Sequence, residues 1–335
     1  MMIDAEVSPA SISEVPGLAK KAQDCCFDCL WFNETKHDPF VQLALGATST
    51  DTIQLGSSIA LAFTRSPTTL AYSAWDIQSF SRGRLILGIG AQVRGHIERR
   101  FGMKWESPAP KMKEVIEVMR SVWNNWQKGD ELDVRGRFFV VNLMTPFFSP
   151  PPIEWPLIPV YVAGVNEGMC KMAGKVADGL HVHPLHTSRY LMEVVDPSLR
   201  KGLSSARRKR EDVSVAASVF AAVGSDRSEI RKEKEACRGA IAFYASTRAY
   251  RPLMDLHGWG DVSDKLHLKS VRKEWDRMPM EVGDDILNEF VVEGTWGELG
   301  KMLERRYRGL VDRVRLYQPF DGDQKWKTLV RGFRA

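Results

Sequence analysis

The 335-residue sequence lacks any apolar stretch long enough to cross a bilayer, and it contains only five cysteines. A membrane-spanning helix needs roughly 20 consecutive, predominantly apolar residues, so we expect no helix that crosses a membrane. The cysteines are odd in number and irregularly spaced, which argues against a disulfide framework and fits a reducing compartment. Residues 1–6 lack the basic, apolar and small-residue zones of a signal peptide. We therefore expect a cytoplasmic protein.

Charge of one sign is not strongly dominant, since 47 basic residues stand against 42 acidic ones. Part of the basic excess is the run Arg207-Arg208-Lys209-Arg210, which is typical of a solvated linker or helix edge. Basic residues interleaved with aromatics along one face, the pattern of a nucleic-acid-binding surface, are missing. The composition therefore favours a small-molecule partner over nucleic acid or membrane, and an anionic cofactor or substrate would suit the basic balance.

Buried strands alternate with helices along the chain. Strands are predicted at 2–7, 27–32, 53–63, 84–90, 160–163, 178–182, 213–223 and 311–317. Helices are predicted at 14–25, 39–49, 67–81, 109–128, 165–175, 187–200, 226–246 and 295–308. Ser13 is the expected N-cap of the first, and Ser66-Pro67 opens the third with proline at its first position. Eight strands separated by helices indicate a parallel α/β protein.

Two stretches interrupt this alternation. After the fourth strand come a polar loop at 91–108, the helix at 109–128 and a small hairpin at 132–142, and residues 247–280 have an irregular pattern. The length suits one (β/α)₈ TIM-barrel domain spanning residues 1–335, with insertions after strand 4 and near 247–280.

Gly88-Ile89-Gly90 ends the fourth strand and suggests a dinucleotide-binding loop. That fingerprint needs a third glycine three residues later, where this sequence has Val93, and a helix should follow at once. The two glycines are better explained by the close approach of a flat ring to the end of a strand.

Cys26-Phe27-Asp28-Cys29 has the spacing of a redox or zinc motif. A redox pair belongs at a helix N-terminus, whereas this segment starts a buried strand, and zinc would need further nearby ligands. We interpret these thiols as small buried side chains.

Three histidines cluster in sequence at the end of the sixth strand. His181 and His183 are two residues apart on a strand and would point the same way, as in metal-dependent barrel hydrolases, and His186 follows. The alternative is that they line the mouth of the barrel and donate hydrogen bonds to substrate or cofactor.

Residues 160–168 pass from a strand into a helix through a turn of small residues. Exposed backbone N–H groups at such a helix start can hold a phosphate, but many turns between strand and helix carry glycine without this role. From the residues alone both interpretations stay open.

The block at 55–101 is the most distinctive part of the sequence. Its first part contains Arg65-Ser66-Pro67, and its second part runs from Ser81-Arg82-Gly83 to Phe101. Together with Ala163-Gly164 and residues 173–180, it resembles the luciferase-like monooxygenase superfamily, and most closely its deazaflavin-dependent oxidoreductase branch. The resemblance covers roughly residues 1–225.

This resemblance implies a (β/α)₈ barrel with coenzyme F420, or alternatively FMN, at the C-terminal ends of the strands. It implies a cis peptide at Ser58–Ile59 and a cofactor phosphate at the turn after the fifth strand. It also implies a homodimer, because relatives commonly dimerise. The positions matching cofactor contacts are Thr35, Ser57, Ser58, Ile59, Gly90, Ala91, Gln92, Ala163, Gly164, Val165 and Asn166.

Relatives often carry an acidic residue followed by histidine after the second strand. Glu34 matches the acid, but Thr35 stands at the histidine position and His37 lies two residues further on. The candidate proton carriers are Glu34, His37, His96 and His183. The predicted reaction is hydride transfer between F420 and a small organic substrate. The alternatives are an FMN-dependent monooxygenase and a metal-dependent hydrolase using His181 and His183.

Overall fold

The computed structural model describes residues 1–335 and contains a closed barrel of eight parallel strands. These are β1 Met2–Val7, β2 Cys29–Phe32, β3 Gln54–Ser57, β4 Leu85–Gly90, β5 Val160–Gly164, β6 Gly179–Val182, β7 Ser214–Val219 and β8 Arg313–Leu316. Each strand pairs in parallel with the next, and β8 pairs with β1 through Met2 and Arg313. The predicted (β/α)₈ barrel is confirmed.

Helices cover the outside of the barrel and the insertions. They are α1 Val15–Asp24, α2 Pro39–Thr48, α3 Pro67–Phe80, α4 Arg94–Arg99, α5 Pro108–Lys128, α6 Glu167–Val176, α7 Asp196–Ser205, α8 Arg227–Ala245, α9 Arg251–Leu256, α10 Gly260–Val271, α11 Asp284–Phe290, α12 Leu299–Tyr307 and α13 Lys325–Arg334. None of them combines the length and the apolar composition that crossing a bilayer requires.

Local sequence explains where several helices begin. Pro39, Pro67 and Pro108 occupy the first positions of α2, α3 and α5, where the missing N–H costs nothing. The helix predicted to open at Ser66-Pro67 does so, and the Ser66 side chain caps it by accepting from the Thr69 N–H. The Ser13 prediction was wrong, because α1 follows a 3-10 turn and its preceding residue makes no side-chain cap.

Two segments read as irregular are in fact partly helical. The predicted polar loop at 91–108 contains α4, and the predicted excursion at 247–280 contains α9 and α10. In the second segment Arg251 pairs with Asp255 within α9 and with Asp264 of α10, and the second of these ion pairs links the two helices. A search for hydrophobic periodicity does not detect ion pairing between neighbouring helices, so it did not predict helices here.

The barrel interior holds four charged side chains and only a small apolar cluster around Trp31, which sets it apart from a barrel filled with Val, Ile and Leu. The other members of that cluster are Cys29, Ile86, Tyr161 and Ala216. Alternate residues of β1 and β8 contribute Asp4, Glu6, Arg313 and Arg315 to the interior. The apolar core lies instead between the barrel and its helices, where large side chains such as Trp75 and Trp326 are fully buried. Burying one such aromatic side chain stabilises the fold by about 3 kcal/mol.

Candidate active site

In the lower half of the barrel interior, Asp4, Arg313 and Trp31 form a hydrogen-bonded unit. Arg313 donates to both carboxylate oxygens of Asp4 at 2.8 and 3.0 Å, and Trp31 Nε1 donates to Asp4 Oδ2 at 2.9 Å. The side chains of Asp4 and Arg313 are 1% and 3% exposed. Charges this deeply buried are stable only when they are paired and hydrogen-bonded, so this unit serves the fold.

The next inward-facing residues lie towards the C-terminal ends of the strands. Arg315 Nε donates to Glu6 Oε2 at 2.7 Å, and Arg315 Nη2 donates to Ser58 Oγ at 2.6 Å. Glu6 and Ser58 are only partly buried, whereas Arg315 is buried. Barrel enzymes place their chemistry at this end of the strands, so Glu6 is a candidate for contact with a ligand.

Aromatic residues and a histidine form one wall of the mouth. The His183 ring lies 4.6 Å from the ring of Tyr244 and 4.6 Å from that of Tyr250. The hydroxyl groups of Tyr244 and Tyr317 hydrogen-bond to each other, and burial raises the pKa of both. These tyrosines therefore stay protonated at neutral pH.

His183 is neutral under ordinary conditions. Burial lowers the pKa of His183 to about 3. Its Nδ1 accepts from the Leu185 N–H at 3.1 Å, so the ring proton sits on Nε2. His183 can therefore donate a hydrogen bond, but it is a weak base.

The opposite side of the mouth is formed by the ends of β3 and β4. The peptide bond joining Ser58 and Ile59 is cis, as the resemblance implies. Ser57 is fully buried, and its hydroxyl both donates to the Gly88 carbonyl and accepts from the Gly88 N–H. Ser57 thus joins two strands, and its hydroxyl is committed to the neighbouring backbone.

Gly90 is covered by the neighbouring Ile59 side chain. A Cβ added at Gly90 would lie 1.9 Å from Ile59 Cδ1 and 3.3 Å from the Cβ of Ala163. The space that a side chain at Gly90 would fill is therefore occupied by Ile59, the residue on the C-terminal side of the cis peptide. After Gly90, Ala91 is buried and Gln92 adopts a left-handed conformation with φ 58°.

The turn from β5 into α6 presents unpaired backbone donors. The N–H groups of Val165, Asn166 and Glu167 have no acceptor within the protein. The Asn166 side chain does not cap α6 but donates to the Ala249 carbonyl at 3.0 Å, and Tyr190 donates to the Val165 carbonyl at 3.1 Å. Asn166 therefore ties the turn to the second insertion, and Tyr190 holds it from the segment after β6, while the three amides stay without a partner.

The loop after β2 does not present the predicted acid in a free state. Both oxygens of Glu34 accept from Arg65, and Oε2 also accepts from the Leu61 N–H at 2.8 Å. Glu34 therefore anchors the start of the next βα unit, and a role in carrying protons does not follow from its contacts. Thr35 is exposed, while His37 Nε2 is buried without a partner.

The remaining histidines are dispersed. His96 is exposed on α4, and its side chain forms no hydrogen bond within the protein. His181 lies in the barrel interior edge-on to Trp31 at 4.6 Å, and His186 bonds to Tyr307. No group of three or more His, Cys, Asp or Glu side chains could hold a metal ion, so the hydrolase alternative finds no support.

Sequence reasoning missed Glu6, Arg315, Tyr244 and Tyr317. Glu6 and Arg315 are 309 residues apart and meet only because β8 closes against β1. The sequence does contain a signal for this interior pair. Charged residues stand two positions apart on each strand, Asp4 and Glu6 on β1 and Arg313 and Arg315 on β8. Charges at a period of two inside buried strands indicate a polar barrel interior.

Sequence comparisons agree with the resemblance drawn from residues 55–101. The model of the luciferase-like monooxygenase family matches residues 2–313. The uncharacterized protein Rv1360 of Mycobacterium tuberculosis is 43% identical over 288 residues, which is 86% of this chain and 85% of that protein.

Two further relatives carry functional names. The 5,10-methylenetetrahydromethanopterin reductase of Archaeoglobus fulgidus is 25% identical over 93% of this chain and 91% of its own. A Mycobacterium tuberculosis protein named provisionally as a coenzyme F420-dependent oxidoreductase is 26% identical over 63% of this chain and 62% of its own.

Solved structures share the fold. The coenzyme F420-dependent tetrahydromethanopterin reductase of Methanopyrus kandleri superposes with a TM-score of 0.80 at 20% identity, covering 99% of this chain and 97% of that one. The monooxygenase RslO1 of Streptomyces bottropensis gives a TM-score of 0.69 at 18% identity, covering 99% and 97%.

Proposed function

The chain belongs to the luciferase-like monooxygenase family of oxidoreductases, and on that premise we propose that it transfers hydride between coenzyme F420 and a small organic substrate. The proposal is supported chiefly by the similarity of this chain to relatives whose names state an F420-dependent or related reductase activity. The reductase of Archaeoglobus fulgidus aligns over nearly the whole of both chains, and a second relative is named as F420-dependent.

The mouth of the barrel fits a flat cofactor that carries a phosphate. Ser58 and Ala163 are small, partly buried residues at this mouth, and a ring would lie against them beside the cis peptide. The unpaired amides of Val165, Asn166 and Glu167 at the start of α6 would hold a phosphate, with the helix dipole favouring its charge. A deazaflavin would supply reversible hydride exchange with a substrate carbon, and the protein would supply binding and orientation.

The side chains at the mouth would place a proton and exclude water. Glu6 Oε1 takes no hydrogen bond from the protein, so it is available to exchange a proton with a bound substrate. His183 Nε2 would donate a hydrogen bond without becoming charged. Tyr244, Tyr250 and Tyr317 would shield that side of the mouth from solvent.

Titration of the purified apoprotein with F420 and separately with FMN tests the identity of the cofactor. We expect saturable binding of F420, followed by its fluorescence, with FMN binding at least tenfold weaker, a difference of about 1.4 kcal/mol. Tight FMN binding with no F420 binding would overturn the deazaflavin assignment and favour the monooxygenase chemistry.

A matched pair of variants tests the location of the phosphate. Gly168 is exposed in the first turn of α6, and an added Cβ meets nothing within 4 Å. Gly168→Glu suits the helix N-terminus but repels a phosphate, so we expect it to weaken cofactor binding about tenfold or more. Gly168→Ala is the control and should bind as the wild type does; equal affinity in both variants would place the phosphate elsewhere.

A further inference from the structure

Below the mouth, two adjacent interior side chains carry buried polar atoms without partners. Arg315 Nη1 and Ser218 Oγ are both shielded from solvent and form no hydrogen bond. Arg315 and Ser218 are themselves 6% and 2% exposed. A buried donor with no acceptor is costly, above all on a charged group, so such an atom in a native structure calls for an explanation.

The two atoms face the same space. Ser218 on β7 and Arg315 on β8 are paired in register, and Ser218 lies two residues after Ala216, which belongs to the interior cluster around Trp31. Paired residues on neighbouring strands point to the same face of a sheet. Within the guanidinium, Nε and Nη2 are committed to Glu6 and Ser58, which leaves Nη1 directed away from the carboxylate.

The surroundings of Arg315 determine which ligand it could accept. Asp4 and Glu6 contribute two negative charges and Arg313 and Arg315 two positive ones, which sum to zero. His181 adds no charge, because burial holds its pKa well below the ordinary value. A carboxylate bound here would leave a net buried negative charge, whereas a neutral carbonyl oxygen would accept from Nη1 and Ser218 without one.

We propose that Arg315 Nη1 and Ser218 Oγ form a subsite that binds a neutral carbonyl oxygen of the substrate at the floor of the barrel mouth. This inference rests on the proposed function for its link to a substrate. It makes Arg315 and Ser218 determinants of specificity and names the substrate class as ketones, aldehydes or amides. Access is from above, where Glu6, Ser58 and Ala163 are only partly buried.

The test is a ligand-observed NMR titration of the full-length protein with acetamide, and separately with acetate. For a ligand of four non-hydrogen atoms we expect a dissociation constant of about 1 mM, within the limit set by ligand efficiency. Arg315→Lys keeps a cation beside Glu6 but removes the second arm, and it should weaken acetamide binding at least about tenfold.

Ser218→Ala provides a second test of the subsite in case the Arg315→Lys variant does not fold. It replaces an unpartnered hydroxyl by a methyl group, so stability should hold while acetamide binding weakens about fivefold. Ser214→Ala is the matched control, because Ser214 Oγ on the same strand is also buried and unpartnered. Ser214→Ala should bind acetamide as the wild type does.

Three outcomes would overturn the proposal: no saturable acetamide binding to the wild type, equal binding in the wild type and Ser218→Ala, or acetate binding more tightly than acetamide. The cofactor titration is a separate measurement. A protein that binds acetamide through Ser218 but binds neither F420 nor FMN would refute the proposed function and leave the subsite. A protein that binds F420 with no effect of either variant on acetamide would refute the subsite alone.

Discussion

The lower and upper halves of the barrel interior use the same chemistry to different ends. In the lower half, Arg313 donates two hydrogen bonds to the Asp4 carboxylate, and Trp31 donates a third. In the upper half, Arg315 and Glu6 share a single hydrogen bond and leave Nη1 unpartnered. Both pairs join β1 to β8, but only the lower one is satisfied from within the protein.

This difference separates a structural ion pair from a candidate functional one. A buried charge without a full set of partners lowers the stability of the fold, so its persistence at the mouth of a barrel is informative. Both pairs join β1 to β8 and so close the sheet. The upper pair also leaves Arg315 Nη1 without a partner, so that this atom can bind a ligand. Changes in the lower half should therefore affect folding, and changes in the upper half should affect binding.

Asp4→Asn should give the largest effect. It leaves the Arg313 guanidinium buried without its counter-charge, and removing one partner of such a pair typically costs about 3–5 kcal/mol. Urea unfolding followed by circular dichroism measures the loss as a lower midpoint. A midpoint within error of the wild type would show that the lower pair does not hold the barrel closed.

Gly88→Ala should be the next most damaging change, and Gly90→Ala on the same strand is its matched control. A Cβ at Gly88 would lie 1.9 Å from the Ser57 carbonyl oxygen, which is backbone and cannot move, so we expect a loss of about 1–3 kcal/mol. A Cβ at Gly90 meets the flexible end of Ile59, so its cost in stability should be smaller.

The two glycine variants should also differ in binding. Gly90→Ala would push Ile59 towards the mouth and weaken cofactor binding with little change in the urea midpoint. If Gly90→Ala destabilised the protein as much as Gly88→Ala, Ile59 would be as unable to move as the backbone beside Gly88.

Glu6→Gln should cost less stability than Asp4→Asn. The glutamine oxygen can still accept from Arg315 Nε, and the Glu6 side chain is 11% exposed, so water can reach the site. We expect a loss of about 1 kcal/mol in urea unfolding. A loss equal to that of Asp4→Asn would make the upper pair structural.

How much of this could be read from the sequence differs between the halves. The strands were predictable because runs such as Leu85–Gly90 are buried on both faces and separated by helices with proline at their starts. The cis peptide at Ser58–Ile59 was implied by resemblance and is present. The Glu6–Arg315 pair was not predicted, because its partners meet only when the first and last strands close.

The predicted site residues illustrate the same limit. Glu34 was chosen for its place after the second strand, but Arg65 and the Leu61 amide occupy its oxygens. That pairing depends on how the loop after β3 turns, which no local pattern in the sequence encodes. The basic run at 207–210 likewise differs from the solvated segment that its charge predicts. Arg210 forms an ion pair with Asp312, and Arg208 donates to the Gly174 carbonyl.

His183, in the upper half, should give an effect seen only as a pH dependence of stability. Its pKa is about 3 in the folded protein, against about 6.5 in an unfolded chain. Between these values the unfolded chain binds a proton that the folded protein does not, so stability must fall as the pH drops below about 6.5.

From pH 6.5 to 5.5 this one group should contribute a loss of about 1 kcal/mol. His183→Gln removes the titration while its amide oxygen can still accept from the Leu185 N–H. Urea midpoints measured at both pH values should therefore differ less in His183→Gln than in the wild type. The same difference in both proteins would mean that His183 is protonated as readily when folded as when unfolded, and so that the wall formed by Tyr244 and Tyr250 does not keep its ring neutral.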